Sequence, residues 1–143
     1  MFIGEYQHTL DDKGRIAVPA KFRQLLNRGA VVTKGLDACL FVYSKAEWGK
    51  LVTKLAALPL ARANTRAISR LMLAGAMDVE LDGQGRMTVP EYLRQFARLD
   101  KQVVIAGLNT RLEIWDHRAW DEYKRATEGK SNEIAEALGE LGV

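Results

Sequence analysis

The sequence predicts an α+β fold in which two similar halves of one chain share a core with pseudo-two-fold symmetry and are flanked by helices. A segment of about fifty residues occurs twice. Each copy contains short runs in which apolar and polar residues alternate, as in half-buried strands. The connection between the copies and the C-terminal region show helical periodicity instead. A β-rich half of this size buries little surface alone and leaves strand edges unpaired, so we expect the halves to pair.

The repeat has two parts. Residues 10–26, LDDKGRIAVPAKFRQLL, match residues 81–97, LDGQGRMTVPEYLRQFA, at an offset of 71, and residues 31–48 match residues 103–120 at an offset of 72. Identities over the first part include Gly, Arg, Val and Pro at equal spacing, which chance does not produce over seventeen positions. This predicts four segments: a first repeat at 5–48, a helical connection at 49–75, a second repeat at 76–120 and a helical tail at 121–143.

Each repeat is expected to begin with a β-hairpin. Tyr6, His8 and Leu10 alternate with polar residues, and Ile16 and Val18 alternate again after the DDKG turn. The second copy has the same pattern around DGQG. Two further strands are predicted in each copy, at 30–33 and 40–43 and at 102–106 and 112–115.

Helices are predicted after the hairpins, between the repeats and at the C-terminus. Pro19 and Pro90 stand where a strand ends and a helix begins. The connection reads as two helices, 46–58 and 65–74, with Asn64 as the cap of the second. Asp116 is the expected cap of a helix containing Trp120, and a last helix is expected to begin at residue 131 or 132.

Composition bounds the function. The 143 residues are 48% hydrophobic and 27% charged, which excludes disordered and collagen-like classes. One cysteine, Cys39, cannot form an intrachain disulfide, and with only His8 and His117 beside it the chain lacks the ligands of a structural zinc site. A reducing cytoplasm is the expected compartment. Charged residues interrupt every apolar stretch, so no signal peptide and no membrane span are expected.

Charge is unevenly distributed along the chain. The net charge of +3 is too small to indicate a nucleic-acid binder by itself. Residues 45–76 carry six basic residues against Glu47 alone, whereas residues 119–143 are acidic. The helical connection also has more apolar residues than a chain of this length needs for its core, which leaves surface for contacts between subunits.

The most closely matched polar feature is an Asp-x-x-x-Arg element in each copy, Asp11 to Arg15 and Asp82 to Arg86. It has two compatible interpretations. The carboxylate and guanidinium form an ion pair that clamps a tight turn. Alternatively, the aspartate orients the arginine outwards, where its planar fork can bind phosphates or guanine. For one element alone the clamp is the favoured interpretation, and two such arginines at symmetric positions narrow the difference between the two.

Other basic residues near these elements have either a phosphate-binding role or an ordinary surface role. Lys13 and Lys21 are candidates for phosphate contacts, whereas Arg23, Arg94 and Arg98 are expected on solvated helix faces. The sequence has no pattern of catalytic residues, no metal-binding run and no complete phosphate-binding glycine motif. We therefore predict no catalytic site, no metal and no cofactor.

These residues resemble the MraZ family of the AbrB/SpoVT-like swapped-hairpin superfamily. The resemblance lies in the tandem LDxxGRxxVP copies, the paired acid-x-x-x-Arg elements and the helical connection, and it covers nearly the whole chain. It implies a tandem swapped-hairpin β-barrel. It also implies a sequence-specific transcriptional regulator that is expected to repress its own division and cell-wall gene cluster. Such a regulator is expected to bind direct repeats in double-stranded DNA as a ring-shaped homo-oligomer, and to be associated with the nucleoid.

Carried over residue by residue, the resemblance assigns DNA contact to Arg15 and Arg86 and an orienting role to Asp11 and Asp82. Position 84 is Gln where the first copy has Lys13, so the two turns are not expected to be equivalent. The alternative is an antitoxin-like protein-interaction module whose acidic tail binds a basic partner.

Overall fold

The computed structural model describes residues 1–142 and confirms an α+β fold. Eight strands are present: β1 Phe2–Thr9, β2 Arg15–Ala17, β3 Ala30–Lys34, β4 Leu40–Ser44, β5 Met77–Val79, β6 Arg86–Thr88, β7 Gln102–Asn109 and β8 Arg111–Asp116. The α-helices are α1 Ala20–Arg23, α2 Lys45–Ala56, α3 Ala63–Ser69, α4 Glu91–Phe96, α5 His117–Glu128 and α6 Ser131–Ala137. A 3-10 turn, Gln24–Leu26, extends α1, a π-helical turn, Arg70–Ala74, extends α3, and a 3-10 turn, Gly139–Leu141, follows α6.

The strands form an antiparallel six-stranded sheet in the order β1-β7-β8-β4-β3-β5 and a separate two-stranded ribbon of β2 and β6. The two repeats exchange strands at both edges of the large sheet and in the ribbon. β1 of the first repeat pairs with β7 of the second, β5 of the second pairs with β3 of the first, and β2 pairs with β6. The expected pseudo-two-fold relation is therefore visible in the strand order itself.

The hairpin expected between the first two strands of each repeat is wrong as a pairing. The tight turn exists, since the Gly14 N–H donates to the Asp11 carbonyl at 3.0 Å, but β1 and β2 then run into different sheets. The eight-residue register of β1 with β7 satisfies many more backbone groups than the three residues of β2 offer. The large sheet ends at β1 and β5 and is not closed, so the expected barrel is not confirmed.

The second part of the repeat aligns differently from the sequence match. Ala30 pairs with Ser44, and Val103 occupies the same place opposite Asp116. The offset is therefore 73 for β3 and β7 and 72 only for β4 and β8. The sequence match aligned Val103 with Val31, whereas its structural counterpart is Ala30. Because side chains alternate between the two faces of a sheet, the sequence match paired residues that lie on opposite faces.

The core lies between the large sheet, the ribbon and the short helices. Both repeats contribute fully buried residues to it, among them Ile16, Leu26, Val32, Met87, Leu93 and Ile105. A second set, which we call the outer cluster, covers the opposite face of the large sheet beneath α2, α3 and α5: Cys39, Phe41, Tyr43, Leu55, Met72 and Trp115, with Trp48, Leu51, Ile68, Ala119 and Trp120 at its edge.

The helix ends confirm one cap and correct another. The Asp116 side chain accepts the Ala119 N–H at 3.4 Å at the start of α5, as expected. Asn64 is not a cap, because α3 begins at Ala63 and follows Arg62. The chain before α3 is held instead by Arg66, whose Nη1 donates to the carbonyls of residues 60 and 61.

Cys39 is a buried member of the outer cluster. Burial raises the pKa of its thiol to about 12, and the thiol donates to the Leu36 carbonyl at 3.1 Å. It is therefore a thiol, not a thiolate, at neutral pH. Among residues 1–142 there is no group of three His, Cys, Asp or Glu side chains arranged to hold a metal ion. In the same range no helix has the length and apolar character needed to cross a bilayer.

Candidate nucleic-acid interface

The first Asp-x-x-x-Arg element forms a closed network within its turn. Asp11 Oδ1 accepts the backbone N–H groups of Lys13 and Arg15, each at 2.9 Å. Asp11 Oδ2 accepts the Arg15 Nε–H at 2.7 Å. The Asp11 carboxylate therefore holds both the backbone of the turn and the Nε end of the Arg15 guanidinium.

The second element repeats this network closely. Asp82 Oδ1 accepts the N–H groups of Gln84 and Arg86 at 2.9 Å, and Oδ2 accepts the Arg86 Nε–H at 2.8 Å. The two turns thus present guanidinium groups that are oriented in the same way. The clamp interpretation describes the observed ion pairs, and it is compatible with an outward role for each arginine.

Glycine is required at one position of each turn. Gly14 has φ +78° and Gly85 has φ +76°, a region that side chains with a Cβ rarely adopt. The two turns are also joined to each other, because the Val18 N–H donates to the Gly85 carbonyl at 3.0 Å and the Val89 N–H donates to the Gly14 carbonyl at 2.8 Å. These bonds lengthen the β2–β6 ribbon and make the two turns one structural unit, which we call the ribbon tips.

The ribbon places both arginines on one face. Arg15 pairs with Thr88 and Arg86 with Ala17, so all four side chains share a face. The intervening pair, Ile16 and Met87, is fully buried on the other face. Arg15 and Arg86 are diagonal neighbours, a relation in which long side chains are within reach of each other.

The outer nitrogens of both guanidinium groups are available. The Arg15 and Arg86 side chains are 30% and 29% exposed. Within residues 1–142 each uses only Nε in a hydrogen bond, to its own aspartate. The Nη groups, which carry the bidentate fork that binds phosphate or guanine, therefore remain free to donate.

Of the two candidate lysines, one lies at a tip. The Lys13 side chain is exposed on the first turn beside the Asp11–Arg15 pair. Lys21 lies on α1, where its Nζ is 5.1 Å from the ring centroids of both Tyr6 and Phe22, a cation–π arrangement.

Two further arginines pack against the ribbon tips. Arg23 is exposed on α1, as expected, whereas Arg94 on α4 is half-buried. A Cβ placed on Gly14 would lie 2.0 Å from Arg94 Nη1, and one placed on Gly85 would lie 2.2 Å from Arg23 Nε. Arg23 Nε also donates to the Val18 carbonyl at 2.9 Å. Each helix arginine therefore packs over the tip of the other repeat. The matched Arg-Gln dipeptides at 23–24 and 94–95 were the sequence signal.

Comparison with known proteins bears on the whole chain. The family model described as "MraZ protein, putative antitoxin-like" matches twice, over residues 1–71 and 72–140. The chain belongs to the MraZ family. It is 47% identical to the transcriptional regulator MraZ of Caldanaerobacter subterraneus subsp. tengcongensis and 48% identical to those of Moorella thermoacetica and Thermoanaerobacter sp. strain X514. Each of these alignments covers 100% of both chains.

The ribbon tips keep their carboxylates ionised. The backbone N–H of Arg15 is the main group that lowers the pKa of Asp11, and the backbone N–H of Arg86 does the same for Asp82. The side chain of Arg15 lowers the pKa of Asp11 further, and the side chain of Arg86 lowers that of Asp82. At neutral pH each tip therefore carries a complete ion pair.

We expect the tip networks to persist on acidification to a pH below that at which free aspartate protonates. A lowered pKa in the folded chain stabilises the fold above the ordinary aspartate value of about 3.9, and this contribution is lost as the pH falls through the lowered values. Carbon-13 NMR titration of the carboxyl groups measures the pKa values of Asp11 and Asp82. Titration of Asp11 and Asp82 at or above the ordinary value would contradict the network.

Proposed function

We propose that this chain is a DNA-binding transcriptional regulator, not an enzyme, and that it contacts double-stranded DNA through the ribbon tips. The observation that carries the proposal is the pair of outward guanidinium groups, Arg15 and Arg86, each held by an aspartate on a single two-stranded ribbon. A β-ribbon fits the major groove, where arginine binds guanine O6 and N7 in a bidentate manner. The names of the 47–48% identical relatives support the regulatory role.

The roles within the tips follow from chemistry. Arg15 and Arg86 donate to base edges or phosphates, Asp11 and Asp82 orient them, and Lys13 and Lys21 add phosphate contacts. Lys13 has Gln84 as its counterpart, so the first tip attracts the DNA backbone more strongly than the second. Arg23 and Arg94 contribute further positive charge behind the tips.

One chain with two small tips makes few contacts, so its binding to an isolated site is weak and depends little on salt. Joining subunits raises the effective concentration of each following tip. Our proposal therefore includes a ring-shaped homo-oligomer that recognises direct repeats in the promoter of its own division and cell-wall gene cluster and represses it. It places the protein in the cytoplasm, associated with the nucleoid. The division of the chain at 5–48, 49–75, 76–120 and 121–143 belongs to the same proposal.

Footprinting on the DNA upstream of this protein's own gene tests the proposal directly. We expect protection at evenly spaced short repeats, and we expect a gel shift with that fragment but not with one in which the repeats are scrambled. Equal binding to both fragments would remove sequence-specific recognition. No binding to either would favour the antitoxin-like interaction module.

A further inference from the structure

Beside the first ribbon tip, the connection from α4 to β7 and the start of α5 form the walls of an open cleft. Two adjoining cavities of about 610 and 370 Å³ make up this cleft, and both are lined by Arg98 and Lys101. The larger cavity reaches the tip itself at Asp11 and Asp12. The Leu10 N–H donates to the Lys101 carbonyl at 2.8 Å and joins the cleft to the base of the tip. We call it the α4–α5 cleft.

The cations of this cleft have no ion-pair partner. Arg98, Lys101 and Arg118 are exposed, and none of their side chains forms an ion pair or hydrogen bond within residues 1–142. The carboxylates of the smaller cavity are bonded to backbone donors instead. Asp100 Oδ1 accepts the Lys101 N–H at 2.9 Å, and Asp116 Oδ1 accepts the Asp100 N–H at 3.2 Å. The guanidinium and ammonium groups therefore remain free to bind an anion.

The pseudo-symmetry of the chain provides an internal comparison, because the first repeat has an equivalent surface beside the second tip. Asn27 is the counterpart of Arg98 at the offset of 71. Ala46 is the counterpart of Arg118 at the offset of 72 that relates β4 to β8. Two of the free cations of the cleft are therefore absent from the other half.

The surface beside the second tip also carries more acidic residues. Asp78 lies on β5 and Glu80 follows that strand, whereas β1 has uncharged residues at the two equivalent positions. Lys45 is ion-paired with Asp78. Arg28, at the position of Lys101, is the exposed cation of this surface that has no ion pair within residues 1–142. The two tips are therefore flanked by surfaces of different charge.

We propose that the α4–α5 cleft binds a backbone phosphate of the duplex that the ribbon tips contact, and that this contact fixes the direction of the chain on its site. Arg98, Lys101 and Arg118 donate to the phosphate. The major groove is about 12 Å wide. The cleft borders the turn that carries Arg15, so its cations reach the backbone at the edge of the groove. Phosphate contacts set the register and orientation of a protein on DNA without reading bases. The inference rests on the DNA binding of the proposed function and adds what gives that binding a direction.

The ribbon alone lacks such a direction. Arg15 and Arg86 occupy equivalent positions, so turning the chain by half a turn exchanges them. Direct repeats all point the same way, and a symmetric pair of tips does not distinguish that direction from its reverse. A chain bound in reverse would place Asp78 and Glu80 near the phosphate and lose the contact of the cleft. Lys13 lies on the same side as the cleft and adds to the same preference.

Replacing two cleft cations by their first-repeat counterparts tests the contact. In Arg98→Asn/Arg118→Ala we expect the slope of log affinity against log salt to fall by about one unit for each cation removed. Fluorescence anisotropy on the repeat-containing promoter fragment measures this slope. Asn suits the φ of +51° at position 98, and far-UV circular dichroism verifies the fold. Arg125→Gln/Lys130→Gln is the control, because it removes the same charge from exposed positions elsewhere and should keep the wild-type slope.

The reciprocal variant adds the cations to the other half. Asn27→Arg/Ala46→Arg changes two exposed residues beside the second tip. We expect its salt slope to steepen by about one unit for each added cation. Misfolding does not produce a gain of contacts, so this variant keeps the test decisive if the first variant is unstable.

Directed cleavage of the DNA measures the direction of the bound chain. Gln24→Cys places an iron–EDTA probe next to Arg23, which packs over the second tip. Cys39 is a buried thiol and does not compete for the probe. With the other residues unchanged, we expect cleavage on one side of each repeat. With either pair of substitutions we expect cleavage on both sides.

The possible results separate this inference from the proposed function. A wild-type slope and one-sided cleavage in Arg98→Asn/Arg118→Ala, with a wild-type footprint, would overturn the contact alone. Wild-type protein that binds no DNA would remove the proposed function and this inference together. Inorganic phosphate that shifts the NMR signals of the cleft amides, with no change of slope in the variant, would assign the cleft to a free phosphorylated ligand. That result would also overturn the contact with the duplex.

Discussion

Arg15→Ala abolishes specific promoter binding while the fold and the oligomer stay intact. A bidentate arginine–guanine contact contributes about 1–3 kcal/mol of discrimination, which corresponds to roughly 5- to 150-fold in affinity for a single tip. In an oligomer every subunit loses the same contact, so the loss multiplies across the repeats. The core is unaffected, because Arg15 lies on the outer face of the ribbon and only Ile16 beside it is buried.

Fluorescence anisotropy on the repeat-containing fragment, over a range of salt concentrations, measures this loss. Each phosphate contact removed is expected to lower the slope of log affinity against log salt by about one unit. Arg86→Ala is the internal counterpart and is expected to act in the same direction. The loss of affinity in Arg86→Ala should be smaller than that in Arg15→Ala, because Lys13 strengthens the first tip. Arg125→Ala, an exposed arginine on α5 outside the ribbon, is the control and should bind as wild type.

Normal promoter binding by Arg15→Ala would remove the central role assigned to that residue. Loss of binding accompanied by loss of the oligomer would indicate a structural effect instead. Light scattering on the same samples separates the two. Asp11→Asn provides a further check, because it keeps the size of the side chain but removes the charge that orients Arg15.

The tips were predictable from sequence because their interactions are local. Asp11 and Arg15 are four residues apart, and the glycine between them requires a positive φ. The same is true of the cap at Asp116 and of the alternating strands. Such features depend on a few neighbouring residues, and the repeat supplied each of them twice. Which carboxylate faces which guanidinium was therefore readable without knowledge of the fold.

What the sequence did not predict depends on distant contacts. β1 has the same alternation whether it pairs with β2 or with β7, so nothing local selects between them. Arg23 and Arg94 have ordinary helix positions, and only strand exchange brings each over the tip of the other repeat. A shift of one residue in the register of β7 decides which face of the sheet Val103 lies on.

Truncation of the ribbon's buried pair is expected to give the largest loss of stability. Ile16 and Met87 are both 0% exposed and lie directly opposite each other, one from each repeat. Substituting either by Ala removes buried methylene groups and leaves a cavity, a change that typically costs about 2–5 kcal/mol. Urea denaturation monitored by circular dichroism measures the loss for each variant. Leu138→Ala, at the exposed residue that follows α6, is the control and should change stability by less than about 0.5 kcal/mol.

The double variant tests whether the two repeats share one core beneath the tips. Residues in direct contact show coupling energies of about 0.5–3 kcal/mol, whereas distant residues have additive effects. If Ile16 and Met87 pack together across the ribbon, the loss in the double variant differs from the sum of the single losses. Strict additivity would contradict direct packing of Ile16 against Met87. The ribbon would then lack the buried pair that holds Arg15 and Arg86 on one shared surface, and recognition of one DNA site by both tips would lose its structural basis.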